Sequence, residues 1–140
     1  MRLFILIVII LGISIGCKNG KKPKYVETQK VIQGKQIYNR YCLACHQADG
    51  SGVPGMYPSL RNSEIIPEDP DSLIVILLNG LSGEIEVDGI VYNNVMPSHN
   101  YLTDMQIADV LTYIRSEIAG KAEPVSFEEV RKVRERELTK

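Results

Sequence analysis

Five consecutive residues, Cys42-Leu43-Ala44-Cys45-His46, limit what this chain can fold into more than any other stretch. They form C-x-x-C-H, the pattern of covalent c-type haem attachment. Two thiols three positions apart in a helical turn can each add to one porphyrin vinyl group. The adjacent imidazole then sits at the right height to ligate iron from one side. Two other readings of a C-x-x-C pair fit less well. A zinc site needs about four Cys or His ligands, and only Cys17 and His99 remain outside the motif. A thioredoxin-type motif follows a strand in a βαβ pattern, and no such pattern is present. A chain committed to this motif has to be a wrapper for a flat apolar cofactor, with iron redox chemistry as its business.

The third cysteine is explained by the N-terminus. Met1-Arg2 is a short positive start, and Leu3 to Ile15 is a run of apolar or small residues. That run suits a signal-peptide core and falls short of the ~20 residues that span a bilayer. Ile15-Gly16-Cys17 is similar to the end of a bacterial lipoprotein signal, although Ser14 stands where Leu is more usual. The resemblance implies cleavage after residue 16 and lipidation of Cys17. An uncleaved membrane anchor with a chance cysteine is the alternative. Lipidation would leave no odd thiol in an exported protein, and export suits the haem reading, because bacterial haem c is attached outside the cytoplasmic membrane. The expected location is the periplasmic side of a bacterial membrane. Without residues 1–16 the chain keeps 17 acidic side chains against one fewer than its 16 basic ones. That balance gives no basic patch for nucleic acid, and none is expected as a partner.

Along the chain, residues 17–27 read as a polar, flexible tether, 28–119 as the haem domain and 120–140 as a charged helical extension. A first helix is expected from Thr28 to Leu43, with Val31, Gly34, Tyr38 and Tyr41 on one face. Glycine on such a face costs ~1 kcal/mol relative to alanine, which suggests a second helix crossing closely at Gly34. Gln47 to Pro70 is rich in Gly, Pro, Ser and Asp and reads as a loop wrapped on a ligand. A buried helix is expected from Pro70 or Asp71 to Asn79, stopped at Gly80. A short hairpin is expected around Asp88-Gly89. Thr103-Asp104-Met105-Gln106 and Ser126-Phe127-Glu128-Glu129 are capping-box starts of two further helices. The first of these is amphipathic through Ile107, Val110, Leu111, Ile114 and Ile118. The second carries mixed charge and reads as a solvated extension.

Taken together, residues 28–118 resemble a class I cytochrome c. Gly34 and Tyr38 precede Cys42 at that family's spacing, and Tyr113 matches the aromatic that packs against the family's helix glycine. Pro58 follows His46 where the family has a proline whose carbonyl orients the axial histidine, a role that any ligating histidine needs filled. Met96-Pro97 resembles the loop that supplies the sixth iron ligand. The resemblance implies an all-α fold of three to five helices around one covalent haem c, attached at Cys42 and Cys45.

Four side chains compete for the iron position opposite His46: Met56, Met96, His99 and Met105. Met105 lies in the first turn of a capped helix, and Met56 sits in a Gly/Pro loop close to His46. Met96 lies in an irregular segment, and Pro97 restricts it to extended conformations. His99 is the strongest competitor, because imidazole ligates iron well. Met96 is preferred, since a soft thioether favours ferrous iron and fills the coordination sphere. For the haem propionates, Tyr57, Arg61, Tyr92, Asn93 and Asn94 are candidates by location, or ordinary loop residues. The expected function is one-electron transfer, not enzyme catalysis, between redox protein donors and acceptors of a respiratory chain, with the carrier held at the membrane by lipid. The alternatives are a haem relay subunit of an oxidase or reductase complex, and a haem peroxidase or gas sensor with a labile sixth ligand.

Overall fold

A computed structural model describes residues 24–61, 66, 69–120 and 123–140. The signal segment 1–16, the lipidation site Cys17 and most of the tether lie outside the described residues. The first helix, α1 (Lys24–Tyr41), starts four residues earlier than its apolar face suggested. Lys24-Tyr25-Val26-Glu27 contains no helix breaker. After a break at Cys42 a single turn follows, α2 (Leu43–His46). Next come α3 (Asp71–Asn79), the strands β1 (Ile85–Val87) and β2 (Ile90–Tyr92), α4 (Asp104–Tyr113) and α5 (Phe127–Leu138). The fold is all-α apart from the two-stranded hairpin.

The local signals operate as the residue types require. Thr103 and Ser126 each accept from the backbone three residues on, and Gln106 and Glu129 bond back to the cap residues, closing both capping boxes. β1 and β2 pair antiparallel with Val87 opposite Ile90. Asp88 and Gly89 join them with φ of 52° and 76°, the left-handed pair that suits the twist of a tight hairpin. α4 runs on into a π-helical turn, Ile114–Ile118, closed by the Ala119 N–H on the Ile114 carbonyl at 2.9 Å. No residue pattern announced that turn. It shifts the register after Tyr113, so that Ile114 is buried while Ile118 is only partly so.

α1 and α4 cross at Gly34. A Cβ there would overlap the Asp109 carbonyl and lie 2.7 Å from the Tyr113 Cβ. Only a hydrogen fits at that point, and the Tyr38 and Tyr113 rings pack 5.4 Å apart just beyond it. The core continues through Ile74, Ile107, Val110 and Leu111.

The C-terminal helix differs from the solvated extension expected of its charge. Val125, Val130 and Val133 are 1%, 0% and 0% exposed and join the main core, and α5 packs on both α3 and α4. The segment leading into it is held by the Val125 N–H on the Thr112 hydroxyl at 3.0 Å and by Arg115 Nε on the Glu123 carbonyl at 3.1 Å. Charged residues on three sides of the helix masked a narrow apolar stripe.

Candidate functional site

α1 and α2 bring the motif to the wall of one cavity. Cys42, Cys45 and His46 line it from one side, and Leu73, Ile76 and Leu77 of α3 form part of its floor. Leu111 and Ile114, at the end of α4, line another side. The space encloses roughly 1080 Å³ with its open mouth and the solvent in it included.

His46 is set by its neighbours. Its Nδ1–H donates to the Pro58 carbonyl at 3.1 Å, which leaves Nε2 with its lone pair free for a metal. Burial pushes the His46 pKa below its ordinary value, the Pro58 bond opposes that shift, and His99 adds to it. The ring is therefore neutral at physiological pH, as a ligating imidazole must be. The turn after His46 is held from α1, where the buried Tyr38 hydroxyl donates to the Gln47 carbonyl at 2.7 Å. Gln47 itself has φ 63°, in the left-handed region. Tyr38 was legible as a core face residue, but its hydroxyl's partner was not. Neither Cys42 nor Cys45 is in a disulfide, and burial, with Cys45 close by, pushes the Cys42 thiol up to about 12.

Met96 lies on the cavity wall in a segment held by α3 and its C-terminal end. Its N–H and C=O bond to Leu81 at 2.8 and 2.9 Å. Ser98 Oγ donates to the Leu78 carbonyl at 2.6 Å and the His99 N–H to the Leu77 carbonyl at 2.7 Å. Gly80 makes this approach possible. Its φ is 76°, and a Cβ would lie 2.6 Å from the Met96 carbonyl oxygen.

The competing ligands separate in part. Met105 is 64% exposed and is absent from the cavity lining, whereas Met56 lines the mouth and is 49% exposed. His99 is buried, lines the cavity, and pairs through Nδ1 with the Tyr101 hydroxyl at 3.0 Å. The structure thus brings both Met96 and His99 to the cavity. Of the propionate candidates, Tyr57, Tyr92 and Asn94 line it. Arg61 instead pairs with Asp49 at 2.9 Å.

These residues fit haem c. Apolar side chains dominate the lining and match a macrocycle's faces, two thiols stand on its wall, and an imidazole with its Nε2 unused by Pro58 stands beside them. Among the described residues no cluster of three or more His, Cys, Asp or Glu could hold a bare metal ion. A porphyrin, which brings four nitrogen donors of its own, removes the need for one.

Comparison with known proteins identifies the family. The family model described as Cytochrome c matches residues 31–117. Cytochrome c-552 of Thermus thermophilus is 40% identical over 116 residues, covering 76% of this chain and 87% of the relative. The fructose dehydrogenase cytochrome subunit of Gluconobacter japonicus is 32% identical over 125 residues, 86% of this chain but 26% of that protein. The cytochrome c subunit of a quinone alcohol dehydrogenase from Gluconacetobacter polyoxogenes is 34% identical over 94 residues, 65% of this chain and 20% of that protein.

Proposed function

The chain belongs to the cytochrome c family and carries one covalently bound haem c with its iron, and from that premise we propose that it is a mono-haem one-electron carrier between membrane-associated redox proteins. The observation that supports this most is the meeting of Cys42, Cys45, His46 and Met96 on the walls of one apolar cavity. When bound, haem c supplies a ferric/ferrous couple that gains or loses one electron without bond making. The protein's part is to hold that couple. Cys42 and Cys45 would anchor the macrocycle, His46, oriented by Pro58, would be one iron ligand, and Met96 would be the other, where a thioether favours the ferrous state. The apolar walls would limit the access of water to the group.

A second reading is favoured by the similarity to dehydrogenase cytochrome subunits. In that arrangement the same haem serves as a relay station within a larger complex. Cys17 would tether either form to the periplasmic face of a membrane. Among the described residues no helix is long and apolar enough to cross one. A Cys17→Ser variant that stays in the membrane fraction would contradict the lipid tether.

The electron-carrier reading is tested by potentiometric titration of the purified holoprotein. A single one-electron Nernst curve is expected, with no binding of carbon monoxide to the ferrous form and no peroxide turnover. Rapid carbon monoxide binding or peroxidase activity in the resting protein would favour a labile sixth ligand and defeat the carrier.

A further inference from the structure

α5 lies beyond the residues matched by the family model, yet one of its side chains reaches back to the segment that follows Met96. The Arg134 guanidinium makes three bonds there. Nε donates to Asp104 Oδ1 at 2.6 Å, Nη1 to the Asn100 carbonyl at 2.9 Å and Nη2 to the Leu102 carbonyl at 2.7 Å. The planar five-donor fork of arginine suits three acceptors spread along a segment, each met by a different nitrogen. The Arg134–Asp104 pair is 22% and 27% exposed, whereas the Arg136–Asp71 pair on the same helix is 45% and 40% exposed. Solvent therefore screens the first much less.

The two ends of the Met96 segment are thus held from different elements. α3 and its C-terminal end hold Met96, Ser98 and His99 through Leu77, Leu78 and Leu81. α5 holds Asn100, Leu102 and Asp104 through Arg134, and is tied to α3 by Arg136–Asp71 and by Asn79–Glu137 at 3.1 Å. Leu102, which closes a turn onto the His99 carbonyl at 3.0 Å, is buried between the two holds.

We propose that Arg134 is a positioning residue for the sixth iron ligand, its fork fixing the Asn100–Asp104 segment so that the Met96 thioether is kept on iron. This rests on the reading of Met96 as that ligand. The expected consequence is local. Without the fork the segment opens more often, and an external ligand competes more easily for the iron, because its apparent affinity scales with the fraction of open protein.

The test is titration of the full-length ferric holoprotein with imidazole, following loss of the methionine–iron charge-transfer band, beside thermal unfolding of the same samples. Arg134→Ala is expected to lower the apparent imidazole Kd on the order of tenfold, the scale of losing hydrogen bonds from a charged donor. Arg134→Lys keeps a charge for Asp104 without the two carbonyl bonds, and an intermediate shift is expected. Val110→Ala, a core truncation that touches none of these bonds, is expected to lower the unfolding temperature while leaving imidazole affinity within about twofold. An Arg134→Ala or Arg134→Lys protein with wild-type imidazole affinity would overturn the proposal. So would a Val110→Ala protein whose affinity tightens as much as that of Arg134→Ala, since the effect would then be general destabilisation. A wild-type protein without the methionine band would remove the Met96 reading and this inference with it. A normal wild-type band beside an unresponsive Arg134→Ala would remove only the role of Arg134.

Discussion

Replacing Gly34 with alanine sets two physical effects of opposite sign against each other. Intrinsic propensity favours alanine over glycine inside a helix by about 1 kcal/mol, so α1 on its own would be stabilised. In the fold, the added Cβ would overlap the Asp109 carbonyl and sit 2.7 Å from both the Asp109 carbonyl carbon and the Tyr113 Cβ. Those neighbours are backbone or the root of a side chain and cannot rotate away. α1 and α4 would have to part by roughly 1 Å, enough to forfeit a quarter to a half of the dispersion energy across the contact. Overpacking of this kind costs about 3 kcal/mol at the upper end of its usual range. The net expectation is a loss of about 2 kcal/mol once propensity is set against it. Guanidinium unfolding of ferric holoprotein, followed by far-ultraviolet circular dichroism, reads this as a lower midpoint at unchanged slope. The same parting would move the α1 end that carries Cys42 away from the cavity wall at Leu111 and Ile114. A Gly34→Ala protein as stable as wild type, or more so, would refute the crossing as the reason for the glycine.

Gly80→Ala combines a left-handed φ with a Cβ 2.6 Å from the Met96 carbonyl oxygen. It should cost about 3 kcal/mol and weaken the methionine–iron band; full band intensity would argue against Gly80 as the support of that segment. Tyr38→Phe leaves the Gln47 carbonyl without the hydroxyl that donates to it at 2.7 Å, and a loss of about 1 kcal/mol of stability, read as a lower denaturant midpoint, is expected. Burial lowers the His99 pKa below 6.5, so in acid the unfolded chain binds a proton that the folded chain resists. Its contribution is fully present above about pH 6.5 and is lost as pH falls toward the folded value. His99→Gln should therefore flatten the decline of unfolding midpoints on acidification, and equal declines in both proteins would discard this account.

Features carried by consecutive residues were legible in the sequence. The haem attachment motif, two capping boxes and the Asp88-Gly89 turn depend on local chemistry and lie where the sequence placed them. Gly34 was legible because a glycine on an apolar helix face needs a neighbour to explain it. Pro58 rested on family resemblance alone, since no local rule links a carbonyl to a ring twelve residues earlier. α5 was misjudged because its buried stripe is only Val130 and Val133, flanked by Glu, Arg and Lys at nearly every other position. Arg134 looks in sequence like Arg131 or Arg136, and only the fold sets it against Asn100, Leu102 and Asp104. The π-helical turn left no mark either, since no residue type from Ile114 to Ile118 signals it.

The central claim is an iron closed on both faces, by His46 and by Met96. Near-infrared magnetic circular dichroism of the ferric protein, wild type beside Met96→Ala, tests it directly. The account predicts a low-spin wild type with a methionine–iron charge-transfer band that vanishes in Met96→Ala. A wild-type spectrum typical of two nitrogen ligands, unchanged in Met96→Ala, would assign the sixth position to His99 and contradict it.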